Sequence, residues 1–205
     1  VNGSVTGTAG VGTAAGDGLA PRAGNWVNLS DKSGLWGDQG GEHVRDDAGS
    51  LVPGVMVKWQ ALGADGLENP AFQDKHNELT RPGTGGDDSL YAGAVLANGG
   101  DKLKITVTGL RSHFSSYDVY VYVDVDATMR GGSPDIRRIT IGSDGTWFLT
   151  DARDDFFSGY ARSTARTAND PSAGNYVAST NLTDGTLEIV IDAPAGMTGI
   201  RPSIS

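Results

Sequence analysis

At 205 residues with no cysteine, the chain is long enough for one large domain, which at this size buries about 70% of its unfolded surface without needing a disulfide. Acidic residues outnumber basic ones 25 to 16, a net charge of −9 that sets the surface against phosphate backbones and argues against a nucleic-acid partner. The missing cysteine removes thiolate metal sites, cysteine nucleophiles and thiol redox chemistry, and no apolar run approaches the ~18 residues that span a bilayer.

Aspartate dominates the acids, 21 against 4 glutamates, and Gly, Thr, Ser and Asn are abundant where Lys and Leu are scarce. That balance favours turns and strands over helices. Residues 1–23 are small and low in complexity, expected as a flexible lead-in or an edge strand, with a single β-domain over 24–205. The chain opens on Val1 rather than methionine, as expected of a processed, secreted bacterial module.

From Gly24 the pattern becomes specific. GNWVNL carries Trp26, and GLWGDQGG sets Trp36 in a Gly-rich stretch with no periodic apolar neighbours, where a partly exposed ring is expected. VMVKWQ (55–60) alternates Val55, Val57 and Trp59 against Met56, Lys58 and Gln60, which predicts a strand with Trp59 in the core. Residues 61–89 break every period, and a long loop of this kind in a compact domain is often functional. LKITVTGL then points Leu103, Ile105 and Val107 inward and Lys104, Thr106 and Thr108 outward. YDVYVYVDVD (117–126) follows, and IRRITIG, TWFLT, NYVAST, LEIVI and GIRPSIS complete the predicted strands. Gly131-Gly132, Ser143-Asp144-Gly145 and Asp184-Gly185 supply turns between them, and one helical turn is conceivable near DDFFSGYA. Strands at this spacing, without intervening helices, predict an all-β fold: a two-sheet antiparallel β-sandwich or jelly roll.

The chemistry-bearing patterns are few. YDVYVYVDVD puts Val119, Val121, Val123 and Val125 on one face, and Asp118, Tyr120, Tyr122, Asp124 and Asp126 on the other. Tyrosine rings beside carboxylates suit the C–H faces and hydroxyls of a sugar, and equally suit cross-strand packing beneath covering loops. DVDATMRGGSPD (124–135) has Asp124, Asp126, Thr128 and Asp135 at calcium-loop spacings, but Met129 stands where the turn glycine belongs and a strand precedes it, so it is no EF-hand. A looser carboxylate-plus-carbonyl calcium site, either here at Asp126 or in GGDDS at Asp87 and Asp88, competes with a solvated acidic turn. The three histidines are scattered, and no nucleophile elbow or zinc motif occurs. His76 and Glu78, within 61–89, form the least implausible acid/base pair for a glycoside-cleaving site. Trp26, Trp36, Tyr91 and Trp147 are the aromatics that could be exposed, each against the alternative of a core position.

GNWVNL, DDSLYAGAV, ITVTGL, YDVYVYVD, ITIG, GNYVAS, LTDGTLEIVI and GIRPSIS, in that order over about residues 24–205, resemble non-catalytic β-sandwich domains of large secreted bacterial proteins. The series is similar in plan to jelly-roll carbohydrate-binding modules. The resemblance implies a glycan held on a sheet face or by edge loops, commonly with a structural Ca2+. The expectation is a secreted, monomeric module that binds a plant or algal polysaccharide, contacts neither nucleic acid nor membrane, and carries out no reaction of its own. Trp36, Asp118, Tyr120, Tyr122 and Asp124 are its expected ligand contacts, and Asp87, Asp88 and Asp126 its expected metal ligands. The rivals are a small jelly-roll hydrolase or lyase walled by 61–89, and a structural or adhesive surface module.

Overall fold

The computed structural model describes residues 34–36, 44, 46, 48, 50–67, 73–76, 93–96, 101–123, 136–150, 161–193 and 203–204; for 34–36, 73–76, 93–96 and 203–204 the description is of the backbone. In chain order the strands are β1 (Gly34–Trp36), β2 (Met56–Leu62), β3 (Gln73–His76), β4 (Gly93–Leu96), β5 (Lys102–Thr108), β6 (Tyr117–Tyr122), β7 (Ile136–Ile141), β8 (Gly145–Thr150), β9 (Ser172–Ala173), β10 (Tyr176–Leu182), β11 (Thr186–Asp192) and β12 (Ser203–Ile204). A single 3-10 turn, Leu110–Ser112, is the one helical element among the described residues.

Seven strands form one sheet in the order β1-β2-β5-β11-β7-β8-β9, while β10-β6 form a two-stranded ribbon and β12-β4-β3 a third, small sheet. The alternation read from the sequence places the core. Across the large sheet, Trp59 pairs with Ile105, Ile105 with Ile189 and Ile189 with Ile141. The next inward row runs Ala61, Leu103, Ile191, Ile139, Trp147. Leu103, Ile139 and Ile191 are fully buried, and truncating any of them to alanine costs about 2–5 kcal/mol through lost burial and the cavity left behind.

Val121, Val123, Val177 and Leu182, from the ribbon and its immediate continuation, belong to the same apolar cluster as these rows, with Tyr117 and Val119 packed against it. The ribbon therefore packs on the large sheet, and the fold is all-β with two layers around one core. The large sheet is antiparallel except at its edge, where β9 runs parallel to β8. This departs from the purely antiparallel expectation because no hairpin joins those two strands. The segment 161–171 that leads into β9 is bonded first to β10, at Ala161 and Ser163, and then to β8, at Ala165, so the chain reaches the β8 edge from the β10 side.

The stretch 61–89 is less irregular than its composition indicates. β2 continues to Leu62, and β3 lies inside the segment, paired antiparallel to β4. Its residues show no period of their own because β3 is only four residues long and its partner lies about twenty residues on.

One end of the sheet is closed by backbone contact. Gly109 has φ +82, and a Cβ there would overlap the Gly54 carbonyl group, so the 3-10 turn and the β2 entry meet with no space for a side chain. Leu110 N–H donates to the Gly185 carbonyl, and the Arg111 Nε–H to that of Thr183, at 3.2 and 2.9 Å, fastening the same turn to the β10–β11 connection. Gly109→Ala is expected to lower stability by about 3 kcal/mol or more, since strain and overlap act together; a urea unfolding curve checks it.

Candidate functional site

The outer face of the ribbon carries the aromatic row. In the antiparallel register Tyr176 lies opposite Tyr122 and Ala178 opposite Tyr120, so all four share one face, while Val121, Val177, Val119 and Ser179 share the core face. The Tyr122 and Tyr176 ring centroids are 5.8 Å apart at 34°, and Tyr120 and Tyr176 are 6.4 Å apart at 36°. Tyr176 is thus the middle ring of three. Burial grades along the row: Tyr122 and Tyr176 are 5% and 1% exposed, Tyr120 is half-buried, and Asp118, Thr180 and Asn181 are exposed. The row is closed at the Tyr122 end and opens to solvent at Tyr120.

Asp118 has a structural partner. β10 carries an irregularity between Ser179 and Leu182, where Asn181 adopts φ +59, the left-handed conformation that asparagine tolerates better than most residues. The Asn181 N–H, turned out of the ladder there, donates to Asp118 Oδ1 at 2.9 Å. One carboxylate oxygen of Asp118 is thereby occupied by the bulge.

A third chain segment borders the row. Arg162 forms an isolated parallel bridge with Tyr176, which puts its side chain on the tyrosine face. The Ser163 N–H donates to the Tyr176 carbonyl at 2.9 Å, and the Tyr176 N–H to that of Ala161 at 3.3 Å. Where this pairing ends, the Arg162 guanidinium donates to the Ala178 carbonyl at 3.0 Å, serving the edge of β10 in place of a further strand. Arg162 is exposed. Nothing in the sequence pattern singles it out beyond the scarcity of cations in an acidic chain.

The same segment reaches the large sheet. Ser163, fully buried, donates its hydroxyl to the Phe148 carbonyl at 2.9 Å and lies 2.7 Å from the Ser172 hydroxyl. The Phe148 N–H donates to the Ala165 carbonyl at 3.0 Å. The Arg166 guanidinium stacks 3.6 Å above the Trp147 ring, with the Asp144 carboxylate 4.0 Å away. Gly174 lies beneath the crossing: a Cβ there would come 2.8 Å from the Ala161 carbonyl oxygen and 2.9 Å from the Ser163 nitrogen.

Trp147 is 1% exposed and belongs to the core, as does Trp59 at 5%. Trp36 lies in β1, paired with Val57, with only its backbone described. Asp124, Asp126, Asp87 and Asp88 lie outside the described residues, as do Trp26, Tyr91 and Glu78, and the backbone of His76 ends β3. Among the described residues no group of three or more His, Asp or Glu side chains is gathered as a metal site would require.

Tyr117 and Arg138 have displaced proton affinities, and both belong to structural contacts. The Tyr117 hydroxyl donates to the Asp184 carbonyl at 2.9 Å; burial, and then the Asp184 charge, raise its pKa above the ordinary 10.0. The Arg138 pKa is raised, chiefly by its hydrogen bonds to Asp192, a two-pronged pair with both contacts at 2.6 Å on the outer face of the large sheet.

Asp118→Ala removes the acceptor for the bulge amide and is expected to destabilise by about 1 kcal/mol, whereas Asp118→Asn retains a carbonyl and is expected to cost less, both read by chemical denaturation. For Tyr117 the folded-state pKa lies above the unfolded one, so its contribution is complete below pH about 10 and is lost as pH rises through the folded value. Tyr117→Phe is accordingly expected to lose about 1 kcal/mol at neutral pH yet to decline less steeply than the parent protein above pH about 10, which a pH series of melting curves checks.

Set against protein-family models, characterised proteins and solved structures, the chain matches none of them.

Proposed function

We propose that the chain is a non-catalytic carbohydrate-binding module built as a jelly-roll sandwich, and that Tyr120 is the ring on which a sugar stacks. The observation that carries this reading is the graded tyrosine row. Tyr122 and Tyr176 are buried and Tyr176 packs beside the Tyr120 ring, while Tyr120 itself is only partly covered and lies by the exposed Asp118, Thr180 and Asn181. A flat ring with a wet edge, bordered by hydrogen-bonding groups, is what a pyranose needs for C–H stacking on one side and hydroxyl recognition on the other. The free Asp118 oxygen and the Thr180 hydroxyl are the neighbouring polar contacts in this reading.

In this reading the two tyrosines have different roles. Tyr122 supports and Tyr120 contacts, so a flat two-ring platform gives way to a single stacking ring with Trp36 and Asp124 as further contacts. In the parent protein such a module would be secreted, would act as a monomer and would place an appended catalytic domain on a plant or algal polysaccharide, with Ca2+ in a structural role. The burial of Tyr122 and Tyr176 also favours a second reading, a structural or adhesive module whose tyrosines serve only to pack its layers. The hydrolase or lyase reading rests on His76 and Glu78 and differs by predicting turnover.

Native electrophoresis through gels containing single soluble polysaccharides, with and without calcium chelation, separates the three. Retardation by one polymer with no loss of that polymer is expected, and Tyr120→Ala is expected to weaken it by about 1–3 kcal/mol, or roughly 5- to 150-fold in affinity. Tyr122→Phe should leave it unchanged. Equal affinity in a folded Tyr120→Ala variant removes the ring from the site, absence of any retardation leaves the packing role, and depletion of the polymer establishes the enzyme.

A further inference from the structure

We infer that the outer face of the large sheet, where β2 and β5 lie side by side, binds an acidic polysaccharide through Lys58, Lys102 and Lys104. The inference takes its ligand class from the glycan-binding reading, but its site lies on the side of the sandwich away from Tyr120.

The alternation that turns Val57, Trp59, Leu103 and Ile105 toward the core turns Lys58, Lys102 and Lys104 outward. Lys58 stands opposite Thr106, two residues along β5 from Lys104, so these lysines are diagonal neighbours about 7–8 Å apart at Cα. Lys102 follows Lys104 on the same face at about 7 Å. The three form one short row over two adjacent strands. β2 and β5 present no acid among their outward residues.

Charge sets this row apart from the other described cations. Arg138 has Asp192, Arg166 approaches Asp144 and Lys104 has Glu188, while Arg111 and Arg162 donate to backbone carbonyls. Lys58 and Lys102 are exposed, and among the described residues their ammonium groups meet neither a carboxylate nor a carbonyl. Glu188 supplies a single carboxylate beside three lysines, and both Asp192 oxygens are taken by Arg138. A chain of net charge −9 thus carries a local excess of positive charge on this face. Screening at physiological ionic strength acts over about 8 Å, so a ligand against the row meets the lysines more than the distant acids.

The face is also open. The Lys104 and Glu188 side chains are 28% and 51% exposed, and Thr106 between Lys58 and Glu188 is partly exposed. A broad sheet surface suits an extended chain lying across it. Carboxylates or sulfates repeated along that chain would pair with the lysines, and its hydroxyls would meet Thr106. Lysine acts as a point charge and accepts either anion.

The test runs the whole chain in native gels carrying polygalacturonate, a sulfated galactan or an uncharged galactomannan, with mobility referred to a polymer-free gel. The variants are Lys58→Gln with Lys102→Gln, the same pair changed to arginine, Glu188→Gln, Arg162→Gln and Tyr120→Ala, each first checked by its melting curve. Retardation by one or both acidic polymers is expected, falling as salt is raised. The polymer that binds identifies the anion as carboxylate or sulfate. Each exposed lysine is expected to contribute about 2- to 5-fold, so the double glutamine variant binds about 4- to 25-fold more weakly. The arginine pair should bind like the parent, and Glu188→Gln about 2- to 5-fold more tightly. Arg162→Gln removes a charge from the ribbon side and should change nothing. A loss there equal, charge for charge, to that of the lysine variant overturns the site, since net charge then accounts for the binding. Competition by a DNA duplex at equal charge concentration also overturns it, because any polyanion then suffices. Loss in Tyr120→Ala with the lysine variant unchanged overturns this site and leaves the glycan reading standing, as does retardation by the galactomannan alone. Loss in the lysine variant with Tyr120→Ala unchanged supports this site and removes the tyrosine from the other. No retardation by any polysaccharide removes both.

Discussion

A two-layer β fold leaves strand edges facing each other across a gap, each with backbone donors and acceptors that need partners. Here the gap between β8 and β10 is bridged by one short segment, and Ser163 is the residue on which the bridge turns. Its backbone pairs with Tyr176 of the ribbon, its hydroxyl with Phe148 and Ser172 of the large sheet, and it has no exposed surface. Every polar atom so buried has to be satisfied, and a buried network with all its members satisfied specifies one arrangement. The closeness of the strap explains Gly174, which leaves room for it, and Arg166, which covers Trp147 from the same side. In a chain without cysteine this junction ties the layers together by hydrogen bonds and packing alone.

The strong bias toward aspartate over glutamate has a matching explanation. Asp46 and Asp65 accept backbone amides within their own turns, from Ser50 at 2.7 Å and Leu67 at 3.0 Å. Asp118 holds the bulge amide, Asp144 accepts the Ser179 hydroxyl, Asp184 the Ser143 hydroxyl and Asp192 the Arg138 fork. The shorter side chain keeps its carboxylate close to the main chain, where turns and bulges leave donors unpaired; glutamate would reach past them. Six of the 21 aspartates thus fasten the chain's own turns, bulge and strands.

The parts of this fold that were legible in the sequence are those governed by a period of two. β2, β5, β7, β8, β10 and β11 all fall where alternation placed strands, and Trp59, Leu103 and the inward isoleucines occupy the core for that reason. Alternation divides a strand into two faces but carries no information about what lies over each. Hence Tyr120 and Tyr122, indistinguishable in YDVYVYVDVD, differ in exposure, and the difference depends on neighbours distant in sequence. Asp118 showed its acceptor chemistry but not its partner, because the bulge at Asn181 lies 63 residues away. The strap escaped detection for a related reason: RSTAR has no period, and its conformation is set by two edges it does not itself form.

Because the strap is bonded on both sides, it cannot lift from the ribbon without exposing Ser163 and stripping the guanidinium from Trp147. Loosening of the outer face and wetting of the core are thus one event rather than two. A ligand that stacked on Tyr120, as proposed, would meet a face fastened to the strap, and much of the cost of immobilising side chains on association would be met in advance by folding. Recognition on such a face would be a matter of fit to a fixed shape, with selectivity set by what the ligand presents rather than by how far the protein can rearrange to receive it.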